Sequence, residues 1–300
     1  MGEMGDVFLP PKSRTSIKNE APSLMENFKE KIDVILSTPE PSDALIEKAE
    51  LVASAVGGRV LQSVQSLEEG AVYLVLGDEG LLLRTVGKKS PGSIRVDFVG
   101  GAANHRRLHG GGTGQMVAKA VGVKKQFRPH VLDATAGLAG DAFVLAGLGC
   151  RMTLMERSKV VQQLIEDGLS RARNTDNFEL TNIIERITLI PGDSSKLMHR
   201  WLQEVNQSIK EPPDVVFLDP MFPEKNSSAA VKKEMQVFQK IIGKDEDANN
   251  LLSVAIELAK YRVVVKRPKK APFLGEQTPS HQIAGKSSRF DVYTIAKLPL

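Results

Sequence analysis

Short apolar runs alternate with amphipathic stretches along the second half of the chain. The runs are continuous, as is typical of strands that are buried on both faces. They lie at 131–135, 151–156, 187–191, 214–219 and 261–266. Stretches with helical spacing lie at 141–148, 158–173, 194–208, 228–242 and 248–260. This alternation predicts an α/β fold with a doubly wound, mostly parallel sheet, and a last apolar segment at 289–295 predicts an edge strand.

The first part of the chain has a different pattern. Residues 1–42 are polar, contain several prolines and lack an apolar period, so we expect a flexible extension there. Residues 43–125 predict a small α+β unit, and residues 126–300 a Rossmann-like domain. The elements expected in the small unit are a helix at 43–55, a hairpin at 71–86, a strand at 93–98, a loop rich in His, Arg and Gly at 100–114, and a helix at 115–121.

The composition restricts the class of protein but does not indicate a function. The hydrophobic fraction of 41% and the charged fraction of 25% are ordinary for a soluble globular protein. The N-terminus lacks the layout of a secretory signal, and no apolar stretch is long enough to cross a bilayer. Cys150 is the only cysteine, which excludes an internal disulfide and a cysteine-based zinc cluster and suggests a reducing, cytoplasmic setting. The net charge of +4 permits a nucleic-acid partner without demonstrating one.

The segment Asp214-Val-Val-Phe-Leu-Asp-Pro-Met-Phe-Pro brings candidate catalytic residues to the end of a buried strand. Open α/β sheets bind their ligands at that edge. Asp219 and the carbonyl group of Pro220 could accept hydrogen bonds from an exocyclic amine, and Phe222 offers a face on which a flat base can stack. The pattern resembles the signature of S-adenosylmethionine-dependent enzymes that methylate base amino groups. An ordinary turn would use the same residues.

A second candidate site follows the strand at 131–135. The turn Asp133-Ala-Thr-Ala-Gly-Leu-Ala-Gly consists of small residues, which let a ligand approach the backbone and the first N–H groups of the next helix. Its spacing differs from the Gly-x-Gly-x-x-Gly of dinucleotide sites. It resembles instead the first motif of methyltransferases, with Thr135 in place of the usual first glycine. A tight turn without a ligand is the alternative.

Two further strand ends suggest adenosine contacts. Glu156 ends the second strand of the domain, where an acid in such sheets accepts hydrogen bonds from both ribose hydroxyls. Asp193 and Ser194 follow the third strand and could hold the adenine amine. The same Gly-Asp-Ser sequence is equally suited to cap a helix.

The chain is similar over roughly residues 70–296 to a known family, the bacterial small-subunit ribosomal RNA guanine-N2 methyltransferases that modify one guanine in 16S RNA. The matching segments include Asp133-Ala-Thr-Ala-Gly-Leu, Leu154-Met-Glu-Arg, Leu218-Asp-Pro-Met-Phe-Pro, Val231-Lys-Lys-Glu-Met and Val263-Val-Val-Lys-Arg-Pro. The segments at 218–223 and 231–235 are the most specific. Departures occur at Thr113, Asp193 and Glu224, where relatives are expected to have arginine, serine and histidine. No role is therefore carried over to position 224.

The resemblance implies a class I S-adenosylmethionine-dependent fold, S-adenosylmethionine as cofactor, no metal, and 16S ribosomal RNA within the small subunit or an assembly intermediate as partner. The cofactor contacts that it implies are Gly140, Asp141, Glu156, Arg157, Asp193, Ser194 and Asp219. Basic side chains beside the site are candidates for RNA phosphate contacts, although such clusters are usually solvated surface. These candidates are Arg106, Arg107, Lys266 and Arg267.

Two other functions stay open at this point. The acceptor could be another amino group, on a DNA base or a protein glutamine, because related Asp/Asn-Pro-x-aromatic motifs serve those acceptors as well. The chain could also be a non-catalytic RNA-binding factor in ribosome assembly that retains a cofactor fold. The presence of Glu156, Asp219 and Phe222 together favours an enzyme.

Overall fold

The computed structural model describes residues 31–87, 92–220 and 248–299 of the chain. Its N-terminal part contains a four-stranded sheet in the order β2-β1-β3-β4. The strands are β1 (Val34–Leu36), β2 (Val60–Leu61), β3 (Val72–Gly77) and β4 (Gly80–Thr85). β1 runs parallel to both of its neighbours, and β3 and β4 form the hairpin expected from the sequence. The helix α1 (Asp43–Val56) packs on this sheet and is capped by Ser42, whose Oγ accepts a hydrogen bond from the Leu45 N–H at 3.3 Å.

The position of β1 corrects the predicted start of the small unit. β1 lies inside the sheet, and Val34 is fully buried. The small unit therefore begins before residue 43. A run of only three apolar residues between polar neighbours is too short a pattern to identify a strand. Residues 1–30 of the predicted extension lie outside the described residues.

The segment between the two sheets also differs from the prediction. The strand expected at 93–98 is reduced to a single bridge between Ile94 and Leu83. The expected loop at 100–114 contains a helix, α2 (Ala102–His109). The helix expected at 115–121 is present as α3 (Met116–Val121).

The larger sheet has seven strands in the order β10-β11-β9-β8-β5-β6-β7. They are β5 (His130–Asp133), β6 (Arg151–Glu156), β7 (Ile187–Pro191), β8 (Val215–Leu218), β9 (Arg262–Pro268), β10 (His281–Ala284) and β11 (Ser288–Thr294). β5 to β9 are mutually parallel, while β11 runs antiparallel to β9 and β10. The mostly parallel, doubly wound sheet predicted from the sequence is confirmed, and β10 is an additional strand.

Helices cover both faces of this sheet. They are α4 (Gly140–Gly147), α5 (Lys159–Arg173), α6 (Phe178–Ile184), α7 (Ser194–Asn206) and α8 (Ala248–Leu258). α6 was not predicted, and the helix expected at 228–242 lies outside the described residues. α3 packs against β9 and β11 and so belongs with the large sheet rather than with the small unit.

The two faces of the large sheet form separate apolar clusters. Val131 and Phe217 point into a cluster that continues through Phe143 to Val34 and Leu74 of the small sheet. On the other face, residues such as Leu132 and Leu218 pack with α7 and α8. Adjacent residues of β8 thus enter opposite clusters, which explains why this strand is apolar at every position.

A buried acid joins the small sheet to α5. Asp167 accepts hydrogen bonds from the Leu81 N–H at 2.9 Å, from Lys48 Nζ at 2.8 Å and from Arg171 Nε at 2.8 Å. Burial alone would raise the pKa of Asp167, but these donors outweigh it and lower the pKa. The small sheet is thereby held against the domain that bears the site. Within the described parts of the chain, no helix is both long and apolar enough to pass through a bilayer.

Candidate active site

The carboxyl ends of the parallel strands bring the predicted site residues to one edge of the large sheet. Asp133 ends β5, Glu156 ends β6, and Asp219 directly follows β8. In β9, Val265 pairs with Leu218, so that Lys266 lies level with Asp219. The expected convergence of these acids is therefore observed.

The turn after β5 keeps its backbone open to a ligand. Gly137 and Ala139 have positive φ angles of 50° and 57°, and α4 begins immediately afterwards at Gly140. A Cβ built on Gly140 would meet no atom within 4 Å, so free space adjoins the first turn of the helix. The turn also positions the acid after β8, because Thr135 Oγ1 accepts a hydrogen bond from the Asp219 N–H at 2.6 Å. Sequence spacing alone does not indicate this contact.

Glu156 is held beneath the same turn. Its side chain is buried, and its two oxygens accept hydrogen bonds from the Gly137 N–H at 3.1 Å and the Ser158 N–H at 2.8 Å. Burial raises the pKa of Glu156 to about 7, although both N–H groups act in the opposite direction. The carboxylate also accepts a backbone hydrogen bond from Arg157, so that one of its about four acceptor positions remains for a further donor such as a ribose hydroxyl. Arg157 follows it and is half-buried.

Asp193 and Ser194 are engaged within the protein. Asp193 caps α7, because its Oδ1 accepts a hydrogen bond from the Lys196 N–H at 2.9 Å. Ser194 Oγ donates to the Ala134 carbonyl oxygen at 2.6 Å and so ties α7 to the turn after β5. The capping alternative is thus what the structure shows. A contact with adenine remains a prediction and would use the remaining oxygen of Asp193 and the lone pairs of Ser194.

Four charged side chains alternate in sign across the mouth of the site. Lys266 Nζ lies 2.7 Å from Asp219 Oδ2 and 2.9 Å from Asp141 Oδ2, and Arg106 Nη1 lies 2.6 Å from Asp141 Oδ1. Burial would raise the pKa of Asp141, but Lys266 and Arg106 lower it overall. Burial would lower the pKa of Lys266, but Asp219 and Asp141 raise it well above its usual range. Asp141 and Lys266 are therefore both ionised at neutral pH.

Asp133 lies behind this cluster and differs from it. Burial and the nearby Asp141 and Asp219 carboxylates together raise the pKa of Asp133 to about 8, against the opposing effects of the Thr135 N–H and Lys266. Asp133 is thus largely protonated at neutral pH. A proton held there removes a third negative charge from the group of acids.

Two of the residues predicted to bind RNA are placed elsewhere. Arg267 is 2% exposed, and its Nε donates to the Pro272 carbonyl oxygen at 3.1 Å. The Arg107 side chain is 10% exposed and contacts Glu179 Oε1 at 2.7 Å. Both guanidinium groups thus form contacts within the fold, and binding of RNA phosphates by these two side chains stays a prediction. Basic runs in a sequence do not show which members are covered.

The remaining predicted residues divide into two groups. Pro220 is buried directly after Asp219, while Phe222 and Glu224 lie outside the described residues. Lys266 and Arg106 keep partial exposure, 30% and 40% of their side chains, but their charged ends are directed at carboxylates. In the ranges that the structure describes, no three His, Cys, Asp or Glu side chains are arranged to hold a metal ion.

Comparison with known proteins extends over most of the chain. Residues 60–295 match the family described as "Putative SAM-dependent methyltransferase". A ribosomal RNA small subunit methyltransferase J from Cellvibrio japonicus is 51% identical over 244 residues, which cover 80% of this chain and 90% of the relative. The protein of the same name from Stutzerimonas stutzeri is 48% identical over 262 residues, with coverages of 86% and 98%.

A solved structure gives the same result for the fold. The crystal structure of a SAM-dependent methyltransferase from Neisseria gonorrhoeae is 33% identical in sequence and superposes with a TM-score of 0.65. The match covers 87% of this chain and 95% of that one. It therefore includes the small N-terminal sheet region as well as the large sheet.

Proposed function

The chain belongs to the family of S-adenosylmethionine-dependent methyltransferases that includes the ribosomal RNA small subunit methyltransferases J, and we propose that it methylates the N2 amine of a guanine in 16S ribosomal RNA. The family resemblance and the class I fold predicted from the sequence are confirmed. S-adenosylmethionine is accordingly the cofactor. The acceptor atom, the RNA and its assembly state are the proposal.

The site fits the cofactor. The open backbone at Gly140 and the remaining acceptor capacity of Glu156 suit an adenosine with a ribose hydroxyl that donates to that acid. Residues 140–141, Arg157 and residues 193–194 would complete its binding site. When bound, S-adenosylmethionine supplies an electrophilic methyl group on a positively charged sulfur. The protein must then provide the place and orientation of the nucleophile.

The observation that supports the acceptor best is the placement of Asp219. Its N–H is held by Thr135, its side chain is 38% exposed, and it lies beside the turn that precedes α4. A guanine amine is a weak nucleophile because its lone pair is delocalised into the ring. Hydrogen bonds from its two N–H groups to the Asp219 carboxylate and the Pro220 carbonyl oxygen would favour the pyramidal nitrogen of the transition state. Phe222 would stack on the base, which contributes about 1–3 kcal/mol.

The RNA must present this guanine outside a helix, because an amine within a base pair cannot reach the edge of the sheet. We therefore propose an unpaired or flipped guanine of 16S RNA, within the small subunit or an assembly intermediate, in the cytoplasm. The names of the relatives support the choice of RNA. Asp219 and its neighbours support the choice of an amino acceptor.

The test is methyl transfer from labelled S-adenosylmethionine to undermethylated small subunits, naked 16S RNA, and DNA as a matched acceptor. We expect label in RNA, recovered as N2-methylguanosine after digestion to nucleosides. Label in DNA or in protein glutamine would replace the acceptor and keep the enzyme class. Cofactor binding without transfer to any acceptor would instead favour a non-catalytic assembly factor.

A further inference from the structure

Lys266 occupies a position that the proposed reaction does not yet explain. Its Nζ forms ion pairs with Asp219 at 2.7 Å and with Asp141 at 2.9 Å. These two acids come from different parts of the sheet edge, since Asp219 follows β8 and Asp141 lies in the first turn of α4. A single ammonium group thus bridges the proposed acceptor side of the site and its proposed cofactor side.

This arrangement differs from that of a lysine that grips RNA. A side chain that binds phosphate extends into solvent with its charge available, as is typical of exposed basic clusters. The Lys266 side chain is 30% exposed, and its charge is shared by two carboxylates at hydrogen-bonding distance. Neutralising a phosphate would require it to leave both acids, one of which, Asp141, is only 10% exposed.

We propose that Lys266 is a positioning residue for the methyl transfer, which holds the carboxylates of Asp141 and Asp219 at fixed places on the two sides of the reacting atoms. This inference rests on the proposed function. Without Lys266, two like charges would face each other across the site, and Asp219 would lose the ion pair at its Oδ2. The acceptor amine would then meet a carboxylate that is positioned less precisely.

Arg106 gives this cluster a second support from outside the large sheet. It projects from α2, its Nη1 lies 2.6 Å from Asp141 Oδ1, and its Nε donates to Gln115 Oε1 at 2.9 Å. Asp141 therefore has a cation at each of its two oxygens. The titratable groups near Lys266 are Asp141 from α4, Asp219 after β8 and the largely protonated Asp133 from β5, with Arg106 from α2 beyond Asp141.

The first test needs no catalysis. The carboxyl carbon of Asp141 is titrated by NMR in the full-length wild type, in Lys266→Met and in Lys269→Met. Lys269 is the matched control, because it is an exposed lysine three positions further along the chain. We expect the pKa of Asp141 to lie below its ordinary value in the wild type and in the control, and to rise in Lys266→Met because the cation that lowers it most is removed. An unchanged Asp141 titration in Lys266→Met would overturn the bridge.

The second test separates positioning from RNA binding by kinetics. In Lys266→Met, single-turnover methylation at saturating RNA should fall about 10–100-fold, as expected when reacting groups are misplaced, while KM for RNA stays within about threefold. Lys266→Arg should recover part of the rate because it restores the cation. A lysine that binds phosphate would give the opposite result, a raised KM and a salt slope lower by about one.

Melting curves of all variants exclude loss of folding as the cause. If the wild type methylates no RNA, the proposed function fails, and the Asp141 titration still decides whether Lys266 holds the two acids. If the wild type is active and Lys266→Met changes only RNA affinity, the positioning role is wrong while the function stands. The two failures are therefore distinguishable.

Discussion

At the scale of single residues, burial determines the protonation of Glu156. Its pKa is raised from 4.5 to about 7, so between these values the folded protein binds more protons than the unfolded chain. In the absence of ligand, Glu156 therefore contributes its full stabilisation of the folded state below pH 4.5, which is its pKa in the unfolded chain. This stabilisation is lost as the pH rises through about 7, its pKa in the folded protein. Ribose hydroxyls donate to the ionised form, so cofactor binding should oppose this change and favour higher pH.

Cofactor affinity should therefore depend on pH through Glu156. Calorimetry should give a Kd for S-adenosylmethionine about tenfold lower at pH 8 than at pH 6, since the ionised fraction of a group with a pKa near 7 rises by that factor. In Glu156→Gln the affinity should be about 10–100-fold weaker and much less dependent on pH. Asp133 titrates in the same range and is unchanged in this variant. An equally steep pH dependence in Glu156→Gln would assign the effect to Asp133.

The Asp219 carboxylate should matter for rate and much less for RNA affinity. In Asp219→Ala we expect single-turnover methylation to fall about 100-fold or more, because the carboxylate acts at the amine while phosphate contacts provide most of the grip on RNA. Asp78→Ala removes an exposed acid of the β3–β4 turn and is the matched control. If Asp219 only completes a turn, the variant will melt earlier and react at a normal rate.

At the scale of elements, close approach of α5 to the segment before α2 depends on Gly168. A Cβ there would lie 2.6 Å from Val96 Cγ1 and 2.9 Å from the Val96 carbonyl oxygen. The same carbonyl accepts a hydrogen bond from Arg171, which also contacts Asp167. The absence of a side chain at position 168 therefore allows this junction between the small sheet and the large domain to form.

Gly168→Ala should destabilise the protein despite the higher helix propensity of alanine. The propensity gain is about 1 kcal/mol, whereas overpacking against a backbone oxygen costs about 1–3 kcal/mol. Urea unfolding should therefore show a lower midpoint. Gly114→Ala is the control, because a Cβ there meets no atom within 4 Å, and its midpoint should stay close to that of the wild type. A stabilised Gly168→Ala protein would show that Val96 moves aside without cost.

The elements that the sequence predicted well are those whose own pattern is complete. β8 and the central residues 263–265 of β9 are apolar at every position because they pack into clusters on both faces of the sheet, and this pattern needs no partner to be recognised. α2 escaped prediction because it has no buried residue, and it is stabilised by side-chain contacts such as Arg106 with Asp141 and Arg107 with Glu179. Contacts between distant segments override weak local propensity and are not visible in sequence spacing.

The positions of the site residues could likewise be predicted only where the local pattern was sufficient. The acids Glu156 and Asp219 could be assigned to one edge because parallel strands end together. The bridge formed by Lys266 depends on the register of β8 with β9, in which Val265 pairs with Leu218. A shift by one residue would turn the lysine to the other face, and the sequence does not fix that register by itself. For the same reason, the sequence suggested a surface position for Arg267, the residue after Lys266, although its side chain is buried.

At the scale of the whole molecule, one apolar cluster joins the two sheets. Val34 and Leu74 of the small sheet belong to the same cluster as Val131 and Phe143 of the large domain. The small sheet is thus part of the core that supports one face of the site-bearing sheet. β1 is paired on both sides, with β2 and β3, so its loss would affect the cluster as a whole.

Two truncations that differ by ten residues should therefore behave differently. Removing residues 1–30, which are polar and precede the family match, should change the melting temperature by no more than about 2–4 °C. Removing residues 1–40 also removes β1 and leaves β2 and β3 without their common partner. It deletes the buried side chains of Ile32 and Val34, and the burial of each stabilises the fold by about 1.5–3 kcal/mol. That loss is comparable with a total stability of about 5–15 kcal/mol, so cooperative melting and cofactor binding should both disappear. Equal melting of the two truncated proteins would show that the small sheet is dispensable for the domain that bears the site.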